Sequence, residues 1–166
     1  MKKNKNTWFL ASLTLLMLLS MASCMPDEKK YEEEEQQEIN KYLTDHPDYN
    51  FERTPSGLYY LELAPGTGSS PAVNDTAYII YTGYYLDGVK FDSNVGKKNY
   101  IFPVGQDYWI IEGLDEGVSY MKPGGKSLML LPSSLAYGST GTYGISGYTP
   151  LLFEITLVKV VPGSPR

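Results

Sequence analysis

The chain has 166 residues, of which 42% are hydrophobic, and a formal net charge of −5. That length suits about one domain with a hydrophobic core, and the acidic balance argues against nucleic acid as a partner, because phosphate backbones repel such a chain. Fifteen tyrosines, eleven prolines and sixteen glycines favour strands and turns over a helix bundle.

The first 24 residues have the layout of an exported protein. A lysine-rich start precedes the apolar run WFLASLTLLMLLSMAS, which is typical of a secretory signal peptide. Cys24, the only cysteine, follows Met-Ala-Ser in a pattern similar to a bacterial lipobox, in which the cysteine is acylated. We therefore predict a signal peptide over 1–23 and a lipid anchor on Cys24, which would hold the protein in the cell envelope, at the outer membrane. A membrane-spanning helix and a simple cleaved signal are the alternatives, although the run is short for a span.

The segment after Cys24 is predicted to lie outside the main domain. Residues 24–37 are acidic and nearly free of large aliphatic side chains, which predicts an acidic lipoprotein tether. Residues 38–56 are predicted as a helical arm and linker, because one apolar stripe recurs there at helical spacing: Ile39, Tyr42 and Leu43. We expect this arm to contact the following domain little and to offer a contact for a homodimer.

From residue 57 to residue 162 the pattern changes to that of strands. Asp87-Gly88 is a strong two-residue hairpin signal between two β-rich runs, and Tyr84 in the first of these runs is expected to face solvent. Apolar residues over 110–121 recur at helical spacing. Six runs predict strands: 58–63, 75–86, 89–94, 100–105, 126–132 and 151–161. The order predicts an α+β fold, in which an antiparallel sheet of five to six strands surrounds one short helix, preceded by the N-terminal helical arm.

The residues exclude most group-transfer and hydrolytic chemistry. His46 is the only histidine and lies outside the strand-rich region, so a Ser-His-Asp triad has no base. Metal-ligand spacing and a P-loop are also missing, so we expect neither a metal nor a cofactor. Asp115 and Glu116 are adjacent on the predicted helix and point about 100° apart, which rules out a paired acid and base. What remains is a large stock of aromatic side chains, which indicates an apolar site.

Four segments, in order, resemble the FKBP-type peptidyl-prolyl cis-trans isomerases: YTGYYLDGVKFDSN, IIEGLDEGVSYMKPGGK, LPSSLAYGSTG and LLFEITLVKV. The upstream SGLYYLELAPGTG is similar to the bacterial lipoprotein members of that family. The resemblance implies a half-barrel sheet curled around the helix, with a shallow apolar pocket between them. It implies isomerisation of proline-containing polypeptides and, for a cell-envelope protein, assistance in the folding of exported proteins.

Matching the motifs residue by residue assigns roles within this pocket. The resemblance implies catalytic roles for five residues: Tyr81, Phe91, Asp92, Tyr137 and Phe153. It implies substrate contacts for five more: Tyr100, Ile110, Ile111, Leu114 and Ile145.

Two departures from the family pattern bear on activity. Leu114 stands where the family usually has a tryptophan as the pocket floor, and Trp109 nearby need not replace it. The late loop reads Ile-Ser-Gly-Tyr from Ile145 and is about one residue shorter than usual. Both favour weakened catalysis, so a catalytically weak binding or chaperone domain is the alternative, and a structural lipoprotein that uses the fold as a scaffold is a third.

Overall fold

The structure is a computed structural model that describes residues 28–106 and 109–163. The signal peptide and Cys24 lie outside these residues, so both stay predictions. Among the described helices, none is both long and apolar enough to cross a membrane.

One antiparallel sheet of seven strands forms the body of the described part of the protein. The strands are β1 (Glu52–Arg53), β2 (Tyr59–Ala64), β3 (Thr76–Tyr85), β4 (Lys90–Ser93), β5 (Tyr100–Pro103), β6 (Lys126–Leu131) and β7 (Leu151–Val161). Their order in the sheet is β1-β2-β6-β7-β3-β4, with β5 paired to β3 beside β4. The α+β prediction is confirmed, and the structure adds the two-residue strand β1, which is too short to show a period.

Within the described residues, two α-helices accompany the sheet: α1 (Glu28–Asp45) and α2 (Glu112–Tyr120). Helix α2 approaches β6 closely because two glycines face the strand. A Cβ atom on Gly113 would lie 2.7 Å from the side chain of Leu131, and one on Gly117 would lie 2.4 Å from the sulfur of Met129. The main core fills this side of the sheet and includes Leu58, Ile79, Phe102, Val118, Leu151, Phe153 and Ile155.

The other face of the sheet is covered by α1, which corrects two expectations. We predicted a tether over 24–37, but residues 28–37 are helical. Runs of Glu, Gln and Lys are good helix formers and need little apolar surface of their own. The expectation of little contact is also wrong. Ile39 and Tyr42 are only 1% and 8% exposed. They belong to a second core cluster with Tyr59, Leu128, Leu130 and Leu152 of the sheet.

Tyr84 provides a further correction. It is half-buried and packs against this second cluster, because alternate residues of β3 point toward α1 rather than toward solvent. The sheet is therefore covered on both faces over much of its width.

Candidate functional site

The hairpin of β3 and β4 carries a bulge that places an aromatic ring over the sheet. Gly83 pairs with Asp92, but the next residue of β3 pairs with Lys90, so Phe91 is the extra residue in β4. A Cβ atom on Gly83 would lie 2.5 Å from the tip of the Phe91 ring. The missing side chain of Gly83 therefore makes room for Phe91, whose ring meets that of Phe153 edge-on at 5.6 Å between centroids.

Tyr81 and Asp92 form the polar part of this wall. The Tyr81 hydroxyl donates to the Asp92 carboxylate at 2.6 Å. Burial, followed by that hydrogen bond and the charge of Asp92, raises the pKa of Tyr81 well above its usual range. The hydroxyl therefore stays protonated and committed to Asp92 at neutral pH. Below it, the buried Asn94 accepts from the Tyr81 N–H at 2.7 Å and donates to the Ile79 carbonyl at 3.0 Å, which pins the strand.

The opposite wall comes from β5 and the start of α2. The Tyr100 hydroxyl donates to the carbonyl of Trp109 at 2.5 Å, which ties the residues before α2 to the sheet. The Asp115 carboxylate accepts the N–H of Gly105, at 2.9 and 3.0 Å to its two oxygens. These bonds hold Ile111, the residue that precedes the first turn of α2, close to β5.

The segment between β6 and β7 closes the third side. A 3₁₀ turn (Ser133–Leu135) leads into Tyr137, which is half-buried. Burial, with the nearby charge of Asp92 and then Tyr100, raises the pKa of Tyr137. Further along, the carbonyl of Gly144 accepts from the Tyr85 hydroxyl at 2.7 Å, which fastens the long loop to β3.

These three walls line an open cavity of about 410 Å³. It brings together nine of the ten pocket positions inferred from the sequence: Tyr81, Phe91, Asp92, Tyr100, Ile110, Ile111, Leu114, Tyr137 and Phe153. Ile145 is not among its lining residues; it is 8% exposed and packs in the main core. Its loop folds back through a short bridge between Thr142 and Ile145, which turns the side chain inward.

Trp109 also lines the cavity and is 58% exposed, so it stands at the rim. Sequence reasoning noted this residue but gave it no place in the site. An indole next to the Ile110-Ile111 pair, in a segment otherwise matched by motif, was the signal for it. The floor position is held by Leu114, which is 4% exposed.

The lining is aromatic and aliphatic, with Asp92 as its one acidic side chain. Within the described residues, no three His, Cys, Asp or Glu side chains come together as metal ligands. Such a cavity can bind an apolar segment and orient it with a few hydrogen bonds.

Known proteins share the sequence pattern and the fold of this chain. Residues 68–158 match the family model of the FKBP-type peptidyl-prolyl cis-trans isomerases. The isomerase FkpA of Aeromonas hydrophila is 40% identical over 108 residues, which are 64% of this chain and 39% of that protein. An FK506-binding protein of Neisseria meningitidis is 36% identical over 108 residues, 63% of this chain and 96% of that protein. The crystal structure of a peptidyl-prolyl isomerase from Pseudomonas syringae matches with a TM-score of 0.69 and 26% identity, covering 84% of this chain and all of that one.

An antiparallel sheet folded around a short helix, with an aromatic cavity between them, defines the class of protein. The chain belongs to the FKBP-type peptidyl-prolyl cis-trans isomerase family. It spans less than half the length of its relative FkpA from A. hydrophila.

Proposed function

We propose that this protein is a peptidyl-prolyl cis-trans isomerase that acts on proline-containing polypeptides. The observation that carries the proposal is the cavity of about 410 Å³, whose lining residues lie within the family match at positions 81–153. Its aromatic walls suit a proline ring, and its rim is open to a chain that passes across it.

The chemistry asked of such a site is modest. Rotating an Xaa-Pro bond breaks no covalent bond, and its barrier of roughly 20 kcal/mol comes from the loss of amide resonance. The twisted amide is less polarised than the planar one, so it loses less solvation when water is removed. The free-energy gap between the planar and the twisted amide is therefore smaller in a dry apolar cavity than in water.

The lining residues divide this work among them. Phe91, Phe153 and Leu114 would hold the proline ring, and Tyr100 and Ile110 would contact the neighbouring residues. The hydroxyl of Tyr137 and the backbone N–H of Ile111 would donate to the peptide carbonyls. Because Asp92 accepts the Tyr81 hydroxyl at 2.6 Å, it orients that side chain and does not act as a general base.

A refolding assay tests the proposal. Protein that begins at residue 27, and so keeps α1, should accelerate the refolding of a substrate protein whose slow phase is limited by proline isomerisation. That phase takes tens of seconds or longer at 25 °C without a catalyst. Acceleration in proportion to the added protein is expected, and an unchanged slow phase at equimolar protein would reject the proposal.

Leu114 favours a second candidate function, a binding or chaperone domain with weak catalysis. Leucine is smaller than the tryptophan usual in the family, so the floor is deeper and less aromatic. A protein of this kind would bind proline peptides and suppress aggregation of unfolded clients while the proline-limited phase stayed slow.

We further propose that the protein is a lipoprotein of the cell envelope, anchored through Cys24 at the outer membrane, where it would assist the folding of exported proteins. The proposal is supported by the basic and apolar start and by the position of the cysteine after Met-Ala-Ser. In Cys24→Ala the protein should stay as unlipidated precursor or leave the membrane fraction. Mass spectrometry that finds the same lipid-modified form in the variant would refute the anchor.

A homodimer formed through the N-terminal arm stays a prediction. It would have to use a face of α1 other than that of Ile39 and Tyr42, since these two side chains are buried against the protein's own sheet.

A further inference from the structure

Besides packing on the sheet, helix α1 makes a second contact, with the segment that leads to Tyr137 of the cavity. The carboxylate of Glu35 accepts two hydrogen bonds from Ser133, one from its backbone N–H and one, at 2.8 Å, from its hydroxyl. Ser133 is 4% exposed, and it opens the 3₁₀ turn that leads to Tyr137. A side chain from outside the family match thus satisfies both donors of a buried residue 98 positions away.

The carbonyl of the same Ser133 continues the connection to the site. It accepts the N–H of Ala136 at 2.9 Å and the N–H of Gly138 at 2.8 Å. These two residues flank Tyr137. Glu35 is therefore joined to both neighbours of a cavity tyrosine through one intervening residue.

The chain turns sharply at this point, because Gly138 has φ +65°, in the left-handed region that glycine adopts without steric cost. Both N–H groups beside this turn donate to the carbonyl of Ser133. The two bonds from Glu35 therefore fix the residue that holds the turn.

Helix α1 can deliver the carboxylate because of its own packing. Glu35, Ile39 and Tyr42 recur at helical spacing and share one face of the helix. Ile39 and Tyr42 anchor that face to the sheet. The backbone of Glu35 is therefore already fixed, and the bonds to Ser133 restrict only the rotamers of its own side chain.

We propose that Glu35 is a positioning residue for the isomerase site, acting through Ser133 on the placement of the Tyr137 hydroxyl. This role rests on the proposed function for its effect on catalysis, but its structural part does not. The N-terminal helix then sets the geometry of the cavity's third wall, in addition to covering the far face of the sheet.

The test compares Glu35→Ala in the full chain with Glu32→Ala, which makes the same change at an exposed position one turn earlier on α1. The first readout uses no substrate: hydrogen–deuterium exchange, followed by mass spectrometry, of the peptide that contains residues 133–138. Exchange there should accelerate at least about tenfold in Glu35→Ala and stay unchanged in Glu32→Ala, because opening of this turn becomes easier only when Ser133 loses its partner. Unchanged exchange in Glu35→Ala would overturn the proposal.

The second readout separates positioning from general stability. Since a displacement of about 1 Å can cost up to 100-fold in rate, kcat/KM for a proline tetrapeptide should fall about tenfold in Glu35→Ala. In a Tyr137→Phe background the same substitution should change kcat/KM less than about twofold, because the hydroxyl that it positions is gone. An equal fall in both backgrounds would show that Glu35 supports the fold without positioning Tyr137.

A conservative variant covers the case in which Glu35→Ala is unfolded at the assay temperature. Glu35→Gln keeps one acceptor oxygen, so both readouts should lie between those of the wild type and of Glu35→Ala. Wild-type values in both readouts would refute the need for two hydrogen bonds to a charged carboxylate. If the wild-type protein has no isomerase activity, the proposed function fails, while the exchange experiment still decides whether Glu35 holds the turn.

Discussion

Ile39→Ala tests whether α1 is part of the folded unit. Ile39 is 1% exposed and packs against side chains of β2, β6 and β7. Removing a buried isoleucine side chain costs about 2–5 kcal/mol, and alanine returns roughly 0.4 kcal/mol through its higher helix propensity. We expect a net loss of about 3 kcal/mol in the free energy of unfolding. For a chain of this size that corresponds to a fall in Tm of about 10 °C.

The measurement is thermal and urea unfolding followed by circular dichroism, with Gln37→Ala as the control. Gln37 lies on the same helix and is exposed, so its replacement should change Tm by no more than about 1–2 °C. A fall of less than about 3 °C in Ile39→Ala, with an unchanged urea m value, would show that α1 is not docked on the sheet and would refute the reasoning.

Three further changes probe the cavity and the second core. Phe91→Ala should lower the free energy of unfolding in urea by roughly 3 kcal/mol and abolish binding of a proline peptide in calorimetry, since the Phe91 ring packs 5.6 Å from that of Phe153. Full binding by the variant would show that Phe91 does not belong to the site. Leu114→Trp should raise kcat/KM, because it refills the floor of the cavity, and unchanged or lost activity in a folded variant would favour the binding-module function. Burial raises the pKa of Tyr42 from 10.0 to about 12, so the folded state holds the phenol proton more tightly than the unfolded state does. The stability that this proton contributes is complete below pH 10 and is lost as the pH rises from about 10 to 12. Tyr42→Phe should therefore flatten the fall of the urea midpoint over that interval, and an identical fall in both proteins would contradict the burial of the phenol.

The sheet and α2 were predictable because their signals are local. Asp87-Gly88 marks the hairpin, and the bounds of β7 agree with the expected 151–161. The docking of α1 is a tertiary event that its own polar sequence does not show. One signal for it was present elsewhere: the last four residues of β6, 128–131, are all apolar, and every residue of this strand but the first is buried. Such a continuous run is typical of a strand covered on both faces.

The candidate site, like the fold, was predictable where its signals are local and not where it depends on tertiary contacts. Its aromatic walls lie in motifs, so nine positions converged as expected. Ile145 does not line the cavity, because its loop closes on itself, a property of backbone geometry that motif matching does not carry. The bulge at Phe91 and the bonds from Glu35 to Ser133 depend on pairing register and on contacts 98 residues apart. Neither has a period that a sequence pattern can reveal.

The central claim is that the cavity catalyses rotation about Xaa-Pro bonds. The most direct measurement is NMR exchange spectroscopy on a proline tetrapeptide at equilibrium, with and without the protein. Uncatalysed interconversion takes roughly 10–100 s at 25 °C and gives no exchange cross-peaks on the subsecond timescale. We predict cross-peaks between the cis and trans forms with substoichiometric wild-type protein, and their loss with Phe91→Ala. Chemical-shift changes that show binding to wild type without any cross-peaks would contradict the claim and identify a binding module.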